Sequence, residues 1–565
     1  AIDEITAAIA DPMGLESTQY SDLASRIIIS NHHKNTQHWI INKLHITKQQ
    51  YEQNCFYWTC KALKHENNNS VLNPELMQFI EQHKDQIERI IDYNLDYRFN
   101  YMGALKLINN YLLKTSVHDQ PVAVERPQHL FMRLALGIWF KDTNTCWKDI
   151  EKQISKTYWW VSQGYFIHAT PSLFNAGTRI QQFSSCFLTT CAKDSLDSIY
   201  DWVKNCAMIS KYAGGIGSHI HHIRSKGSYI NGTGGTSNGI GPMLQTVDST
   251  SKYVDQGGNK RPGSHAIYLE PWHADIFEFL TLRSQHGNMD NKARRLFYAI
   301  WIPDEFMRAV QKEAQLEQQG QPDAKCWYLM DPNSAPGLSD VYDHELVTSW
   351  INTPDPEKHQ FTHKYRQYIL AGNYVKQVRA TDIWKAILIE TQETGIPYKC
   401  HKDAGNRKSN QQNLGVIKSS NLCTEIYEYS SGTETAVCNL ASLCLPNFIT
   451  YTKPDQADQY PVSQGWTDLT GKQVWFDFKK LIGACKQLVY NLNSVIDNNF
   501  YPIQETRTSN LKHRPVGIGI QGLADVFNIC GLVWGSDQAK KLDFHIAETI
   551  YWGCLKASNK LAKQQ

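Results

Sequence analysis

The sequence predicts an α/β protein with a helical N-terminal region, and two features of the chain support this. Over residues 21–164 apolar side chains recur at three- and four-residue spacing and glycine is rare, which is typical of amphipathic helices. Beyond about His168 glycine becomes frequent, and short apolar runs alternate with helical stretches. Strands that alternate with helices favour an α/β sheet or barrel for this second part.

Individual segments show either the helical spacing or the short apolar runs of strands. Residues 74–84 have the apolar spacing of a helix, as do residues 382–390, where the side chains three and four apart share one face. Residues 266–269 and 299–302 are short apolar runs, and runs of this length predict buried strands.

Length and charge exclude several classes of protein. A chain of 565 residues is too long for one ordinary core, so we expect two or three domains, or one large barrel with a helical attachment. The net charge of +2 gives no field of one sign, which argues against direct nucleic-acid binding and leaves small anionic ligands open. No apolar stretch reaches the roughly 18 residues of a membrane span, and the N-terminus has no secretory signal pattern.

The chain contains 14 cysteines and not one Cys-x-x-Cys pair. This spacing argues against a structural zinc site, and we expect no metal on this chain. The spacing is also irregular for a secreted disulfide framework, which a chain of this length does not need. Reduced cysteines in a cytoplasmic protein are therefore expected, and each is a candidate for chemistry.

Residues 420–426, Ser-Asn-Leu-Cys-Thr-Glu-Ile, are the most informative stretch. If the stretch is extended, Asn421, Cys423 and Glu425 project from one face, because side chains two apart share a face of a strand. An amide, a thiol and a carboxylate in one small volume could act on a single substrate. Spacing alone favours the simpler interpretation of a buried cysteine in an ordinary strand.

Further segments, taken in order, resemble the large subunit of class I ribonucleotide reductases. The similarity extends from about Leu23 to the last residue. The matching segments are Pro-Ser-Leu-Phe-Asn-Ala-Gly at 171–177, Ser-Ser-Cys-Phe-Leu at 184–188, Asn-Leu-Cys-Thr-Glu-Ile at 421–426 and Val-Cys-Asn-Leu-Ala-Ser at 437–442, with further blocks at 253–263, 268–273 and 513–525.

The resemblance implies a catalytic role for each of five residues. Cys423 would become the thiyl radical that removes the 3′ hydrogen of the ribose, Glu425 would be the general base at the 3′ hydroxyl, and Asn421 would hydrogen-bond there. Cys186 and Cys438 would supply reducing equivalents, because two neighbouring thiols deliver two electrons by forming one disulfide.

The resemblance also implies nucleotide-binding residues in three groups. Substrate contacts would come from Thr170, Ser185 and Gly215, together with Asn421 and Glu425. The deoxynucleoside triphosphate effector site would use Asp194, Ser195, Leu196, Lys211, Arg224, Asn231 and Gly232. The loop that relays the effector signal to the substrate base would contain Asp255, Gln256 and Arg261.

Cofactors and partners follow from the same resemblance. No group is expected to be bound covalently; the effectors would be ATP or dATP, dTTP and dGTP with Mg²⁺, and a separate small subunit with a dinuclear metal centre would supply the radical. The large subunit would form a homodimer, and thioredoxin or glutaredoxin would re-reduce it.

The architecture implied for this family is a helical N-terminal domain followed by a ten-stranded α/β barrel, of the ribonucleotide reductase and glycyl-radical type. The expected domains are a remnant of an ATP cone at 1–28, a helical domain at 29–167 and a barrel at 168–565 that lacks its C-terminal part. The catalytic loop would be shielded from water within the barrel. We therefore expect a fragment, or one piece of a split large subunit that pairs with a complementary C-terminal piece.

Other interpretations remain open at this stage. A reductase that depends on adenosylcobalamin would share the same cysteines, and a large-subunit paralogue could be retained for protein interactions without catalysis. A Gly-x-Gly-x-x-Gly string at residues 517–522 would suggest a dinucleotide-binding fold. That string follows Lys-His-Arg-Pro rather than an apolar strand, so it is weak evidence for a dehydrogenase.

Overall fold

The computed structural model describes residues 2–63, 71–117, 120–254, 263–454 and 465–564. These residues form two compact units. The first unit contains Ala1–Ser184, Asn439–Phe500 and Val516–Gln565, and the second contains Ser185–Cys438 and Tyr501–Pro515. Within the described ranges, no helix has both the length and the apolar character needed to cross a membrane.

The helices, in chain order, are α1 (Ile2–Ala10), α2 (Thr18–Leu44), α3 (Lys48–Gln53), α4 (Cys55–Ala62), α5 (Pro74–Gln82), α6 (Lys84–Ile90), α7 (Tyr101–Lys106), α8 (Pro127–Trp139), α9 (Trp147–Ser162), α10 (Thr170–Asn175), α11 (Leu196–Lys211), α12 (Ile240–Tyr253), α13 (Ile276–Thr281), α14 (Asp304–Gln318), α15 (Gln360–Leu370), α16 (Ala380–Thr394), α17 (Lys402–Lys408), α18 (Phe478–Asn498), α19 (Gln504–His513), α20 (Leu523–Ile529) and α21 (Asp537–Ala562).

The strands, in chain order, are β1 (Lys114–Val117), β2 (Gln120–Ala123), β3 (Phe166–His168), β4 (Cys186–Thr190), β5 (Gly215–His219), β6 (Ser264–Leu269), β7 (Phe297–Ile302), β8 (Trp327–Leu329), β9 (Lys376–Val378), β10 (Tyr398–His401), β11 (Ala436–Val437), β12 (Leu440–Cys444), β13 (Ile449–Thr450), β14 (Trp466–Thr467), β15 (Gln473–Phe476) and β16 (Gly517–Gln521).

The first unit is mainly helical. Its helices begin where the sequence supplies caps: Asn73 accepts hydrogen bonds from the backbone at the start of α5, and Asp477 does so for α18, which satisfies amide groups that a helix leaves open. Helix α18 is buried along much of its length and packs against α8, α9 and α21. A three-stranded sheet in the order β16-β12-β3 lies in the same unit.

The second unit is built on a six-stranded sheet in the order β10-β7-β6-β5-β4-β11. The pairs from β10 to β4 are parallel, and β11 pairs antiparallel with β4. Strands β5, β6 and β7 are almost entirely buried, as expected for a parallel sheet that is covered on both faces. Helices α11 to α17 belong to this unit, together with α19.

The α/β class with a helical N-terminal region is confirmed. Residues 266–269 and 299–302 lie in β6 and β7, and residues 382–390 lie in α16. The sheets are open among the described residues. The predicted domain boundaries, at residues 28 and 167, remain predictions.

The glycine-rich string at residues 517–522 does not form a phosphate-binding turn. Residues 517–521 are strand β16, which pairs in parallel with β12. Only Gly522 has a left-handed backbone, with φ of 79°, where it precedes α20. Gly517 and Gly519 therefore lie within a strand rather than in the turn that would approach a pyrophosphate, as the dinucleotide-binding interpretation requires.

A buried ion pair stabilises the first unit. The Arg133 guanidinium lies 2.6 Å from a Glu125 oxygen, and both side chains are about 1% exposed. Arg133 also donates to the carbonyls of Leu173 and Ala176, and Glu125 accepts from the Leu113 amide. Each charge is therefore paired and hydrogen-bonded, which is the condition under which buried ions are tolerated.

We expect Arg133→Met to lower the free energy of unfolding by about 3–5 kcal/mol, because it leaves the Glu125 carboxylate buried without a counter-charge. Thermal and urea unfolding would measure the loss. The control is Lys48→Met, which removes an exposed pair with Glu52 and should change stability by less than about 1 kcal/mol. Equal effects of the two substitutions would contradict this account.

Candidate active site

Strand pairing brings Cys186 and Cys438 opposite each other. Cys186 begins β4, and Cys438 directly follows β11, whose Val437 is the register partner of Phe187. The amide of Cys438 donates to the carbonyl of Cys186 at 3.0 Å. Because cross-strand neighbours have β-carbons only about 5 Å apart, this register brings the two thiols into hydrogen-bond contact.

Hydrogen bonding and burial set the pKa values of both thiols. The hydrogen bond from Cys423 lowers the pKa of Cys186, but the hydrogen bond with Cys438 and burial raise it, to about 12 on balance. Burial raises the pKa of Cys438 to about 11, against a lowering by its hydrogen bond with Cys186. Both groups are therefore neutral thiols near pH 7, and each retains the proton that a thiolate has lost.

The loop that carries Cys423 lies directly on strand β5. A β-carbon on Gly217 would lie 2.1 Å from the carbonyl oxygen of Ser420, and one on Gly215 would lie 2.7 Å from the Leu422 side chain. Glycine at these two positions permits this close approach of the backbone. From β6, the buried Tyr268 hydroxyl donates to the Asn421 carbonyl at 2.6 Å and fixes the loop from a second strand.

The loop is a turn rather than the extended segment considered from the sequence. Thr424 has a φ of 67°, and residues 422–424 form the tip of the turn. The side-chain oxygen of Asn421 accepts from the Ile426 amide at 3.1 Å and closes this turn. Asn421 is therefore buried, whereas Cys423 and Glu425 remain together on the exposed side.

Three of the predicted catalytic side chains converge. The sulfurs of Cys186 and Cys423 and a carboxylate oxygen of Glu425 all lie within 4.8 Å of one another. A thiol that can hold a radical, a carboxylate that can take a proton and a second thiol thus surround one small volume. Two thiols and a carboxylate could also bind a metal such as Zn²⁺, so the expectation of a metal-free chain stays a prediction.

Two buried polar atoms beside this cluster lack a partner of standard geometry. They are the hydroxyl of Ser185 and the amide nitrogen of Asn421. The Asn421 amide faces Cys186 and lowers the pKa of that thiol, although it makes no regular hydrogen bond there. Unpaired buried donors cost free energy, so both are suited to hydrogen-bond a polar ligand.

Three residues to which the sequence assigned no role also shape this site. Gly217 and Tyr268 position the loop, and the only signal for them was their place in glycine-rich and apolar blocks. Burial raises the pKa of the Glu428 carboxyl to about 8, and a charge on Glu428 would raise the pKa of Cys438. No spacing rule distinguishes Glu428 from the other carboxylates of the chain.

The predicted substrate residues lie in different units. Ser185 and Gly215 belong to the second unit, where the Gly215 amide donates to the Ser185 carbonyl at 2.8 Å. Thr170 belongs to the first unit, where it begins α10 and its hydroxyl lies 3.3 Å from that of Tyr111. The proposed roles of all three remain predictions.

The candidate effector residues are brought together only in part. Arg224 forms an ion pair with Asp194 at 2.7 Å and donates to the Asp194 carbonyl. Ser195 caps α11 by accepting from the Ser198 amide, and Leu196 is 74% exposed beside it. Two charged residues of the candidate effector site are thus paired with each other.

The other candidate effector residues lie apart from this pair or beyond the described ranges. Lys211 ends α11, at a helical rise of about 22 Å from Leu196 at its start. Asn231 and Gly232 are exposed in the loop that precedes α12. Asp255, Gln256 and Arg261 lie outside the described residues.

Comparison with known proteins covers nearly the whole chain. The model of the family "Ribonucleotide reductase, barrel domain" matches residues 184–565, and that of "Ribonucleotide reductase, all-alpha domain" matches residues 97–181. The chain is 45% identical to a ribonucleoside-diphosphate reductase large subunit from Arabidopsis thaliana. The alignment covers 99% of this chain and 63% of the length of that relative. It is also 45% identical to the large chain from Neurospora crassa, of which it covers 53%, and 43% identical to large chain 2 from Saccharomyces cerevisiae, of which it covers 57%. The chain thus spans between about half and two thirds of these relatives.

Because the pKa values of Cys186 and Cys438 are raised, we expect both thiols to react slowly with iodoacetamide near neutral pH. Between roughly pH 7 and 9, the alkylation rate of Cys438 should rise about tenfold per pH unit without a plateau, because the thiolate fraction grows throughout this range. Peptide mass spectrometry would follow each cysteine, with the exposed Cys146 as an internal reference. A plateau for Cys438 near pH 8 would contradict the raised pKa.

The contact between Gly217 and the loop predicts that Gly217→Ala displaces residues 420–426. Overpacking of this kind costs about 1–3 kcal/mol, so we expect the Ile426 amide to exchange with solvent at least about fivefold faster. Hydrogen exchange with mass spectrometry would measure this. Gly235→Ala is the control, because its β-carbon would meet only the Thr233 hydroxyl at 3.6 Å. Unchanged exchange in the Gly217 variant would rule out the contact.

Proposed function

The chain belongs to the ribonucleotide reductase family, and from this premise we propose that it reduces ribonucleoside diphosphates to 2′-deoxyribonucleoside diphosphates through a thiyl radical. The observation that carries the proposal is the cluster of Cys186, Cys423 and Glu425, whose sulfur and oxygen atoms lie within 4.8 Å of one another. The product would be a precursor for DNA synthesis. In this proposal, the protein acts in the cytoplasm.

Cys423, as the thiyl radical, takes the 3′ hydrogen of the ribose, and Glu425 accepts the proton of the 3′ hydroxyl as the 2′ hydroxyl leaves as water. Both side chains stand on the exposed side of the loop, which supports their access to one ribose. Asn421 would hydrogen-bond the sugar through its unpaired amide nitrogen, and Ser185 through its unpaired hydroxyl. Thr170 and Gly215 remain candidate substrate contacts.

Cys186 and Cys438 deliver the electrons. Each thiol gives up one electron and one proton, and a disulfide forms between them, so the substrate gains the two electrons that replacing its 2′ hydroxyl by hydrogen requires. Their opposed positions across β4 and β11 support this role, because a disulfide needs β-carbons within about 4.5 Å. The 3′ hydrogen then returns from Cys423, which regenerates the radical. Thioredoxin or glutaredoxin would reduce the disulfide.

A second protein segment completes the site in this proposal. Cys423 and Glu425 are exposed in this chain, whereas radical chemistry needs a site from which water is excluded. The shielding expected from the sequence is therefore not supplied by the described residues. In the proposal, a complementary protein segment would close over the loop.

The radical would come from a separate small subunit, whose dinuclear metal centre generates it. The large chains would pair as a homodimer, which is supported by apolar side chains on the outside of α11: Leu196, Tyr200 and Met208 are 74%, 56% and 37% exposed. The effector triphosphate, with Mg²⁺, would bind beside Asp194 and Arg224. Its phosphates would compete with Asp194 for the guanidinium.

The decisive experiment is the reduction of CDP by this chain together with a small subunit and a complementary C-terminal piece. The parent chain should form dCDP, and Cys423→Ser should abolish turnover while nucleotide binding persists, because a hydroxyl cannot hold the radical reversibly. Cys146→Ser is the matched control, since Cys146 is exposed at the start of α9. It should retain full activity.

Three results would reject parts of this proposal. Turnover by Cys423→Ser would remove the thiyl mechanism. Activity that depends on added cobalamin and needs no small subunit would assign the chain to the cobalamin-dependent class. Tight nucleotide binding without turnover in any combination of subunits would indicate a chain retained for interaction alone.

A further inference from the structure

Helices α18 and α21 of the first unit pack with their backbones unusually close. A β-carbon on Gly553 would lie 3.1 Å from the β-carbon of Cys485 and 3.6 Å from the α-carbon of Ile482. Glycine at position 553 therefore permits the approach, as small residues do wherever two helices nearly touch. The residue that follows it on α21 is Cys554, so the contact places a cysteine of each helix at the same interface.

The two thiols at this interface are hydrogen-bond partners, and both are reduced in the structure. Cys485 is buried, whereas Cys554 is partly exposed. They belong to the first unit, and the cysteines of the candidate active site belong to the second. The proposed reductase mechanism therefore uses neither of them.

We propose that Cys485 and Cys554 form a reversible disulfide by exchange with a small anionic disulfide, and that this bond fastens α21 to α18. Cys554 is the attacking thiol because solvent reaches it, and Cys485 is the resolving thiol because it is enclosed next to its partner. This modification site is independent of the proposed reductase activity.

The hydrogen bond between Cys485 and Cys554 determines which thiol attacks and which resolves the mixed disulfide. It lowers the pKa of Cys554 and, together with burial, raises the pKa of Cys485 well above its usual value. The pair therefore loses its first proton from Cys554, and the Cys485 thiol stabilises the resulting thiolate. A reactive, partly exposed thiolate beside a protonated neighbour is the arrangement that favours thiol–disulfide exchange.

Nearby lysines favour an anionic reagent. Lys486 follows Cys485 on α18, and its pKa is lowered first by burial and then by the positive charges of Lys556 and Lys560 on α21, so the three ammonium groups lie near one another. Lys556 also stands over the Trp552 ring at 4.5 Å. A disulfide that carries carboxylates would be concentrated at such a surface.

The exchange balances in two steps. The Cys554 thiolate attacks one sulfur of the reagent, which forms a mixed disulfide and releases the other half as a thiol after it takes up a proton. Cys485, once deprotonated, attacks the Cys554 sulfur, which forms the internal disulfide and releases the second half as a thiol. The protein loses two electrons and two protons, and the reagent is reduced to two thiols.

The disulfide would link helix α21 covalently to helix α18 in the core of the first unit. Asn491 on α18 accepts from Thr157, and Ser494 donates to the Ile138 carbonyl, so α18 is already fixed to α8 and α9. A disulfide between Cys485 and Cys554 closes a long loop, and such cross-links restrict the unfolded chain. Oxidation should thus hold α21 in place without any change in the second unit.

The test is to incubate the chain with glutathione disulfide and to map its cysteines by mass spectrometry without reduction. The parent should give the cross-linked peptide pair of Cys485 and Cys554, and its Tm should rise by several degrees. Cys485→Ser should stop at the mixed disulfide on Cys554, and Cys554→Ser should give neither product. Cys146→Ser, which removes an exposed cysteine elsewhere, should cross-link like the parent.

The Tm of each oxidised protein is compared with that of its own reduced sample, which separates the redox effect from any loss of stability that the substitution causes. An uncharged disulfide reagent should react more slowly than glutathione disulfide if the lysines act as proposed. A mixed disulfide on Cys554 of the parent with no cross-link would overturn the proposal, as would a cross-link that joins Cys554 to a cysteine other than Cys485.

Discussion

The candidate active site depends on the contact between one loop and the backbone of strand β5. Because Gly217 has no side chain, the Ser420 carbonyl reaches a position 2.1 Å from where a β-carbon would stand. That approach holds the loop over β4 and β5 and brings Cys423 to Cys186. The Tyr268 hydroxyl fixes the same loop from β6. The cluster of thiols and carboxylate follows from this constraint, since no side chain of the loop could compensate for a shift of its backbone.

Backbone pairing also determines which cysteines form the electron-donating pair of the proposed mechanism. Strand β11 contains only Ala436 and Val437, yet its antiparallel register with β4 sets Cys438 opposite Cys186. A shift by one residue would turn Cys438 to the other face of the sheet. A short edge strand is thus sufficient to specify the pair, because strand register fixes the side-chain direction.

The sequence predicted the class of the fold and named Cys186, Cys423 and Glu425, whose reactive atoms lie within 4.8 Å of one another, but it did not predict the geometry of their loop. Apolar runs identified β6 and β7, since buried parallel strands have a continuous apolar signal. The extended conformation considered for residues 420–426 was wrong, because Thr424 adopts a left-handed backbone that threonine rarely favours. Contacts with β5 and β6, together with the hydrogen bond from the Ile426 amide to the Asn421 side chain, hold this turn. Likewise, no local pattern indicates that Arg224 pairs with Asp194, thirty residues away.

Two thiol pairs in one chain differ in the property that decides their chemistry. At Cys186 and Cys438 the balance of hydrogen bonds and burial raises both pKa values, so neither thiol becomes a nucleophile near neutral pH. In the proposed mechanism this pair gives up its electrons to a radical intermediate rather than reacting as a thiolate. At Cys485 and Cys554 one pKa is raised and the other lowered, because the hydrogen bond between the two thiols favours the thiolate of Cys554 and the protonated form of Cys485. Two pairs of neighbouring thiols would thus serve as a reductant in one unit and as a site of disulfide exchange in the other, and the proposed roles differ because one pKa is lowered on balance in the second pair alone.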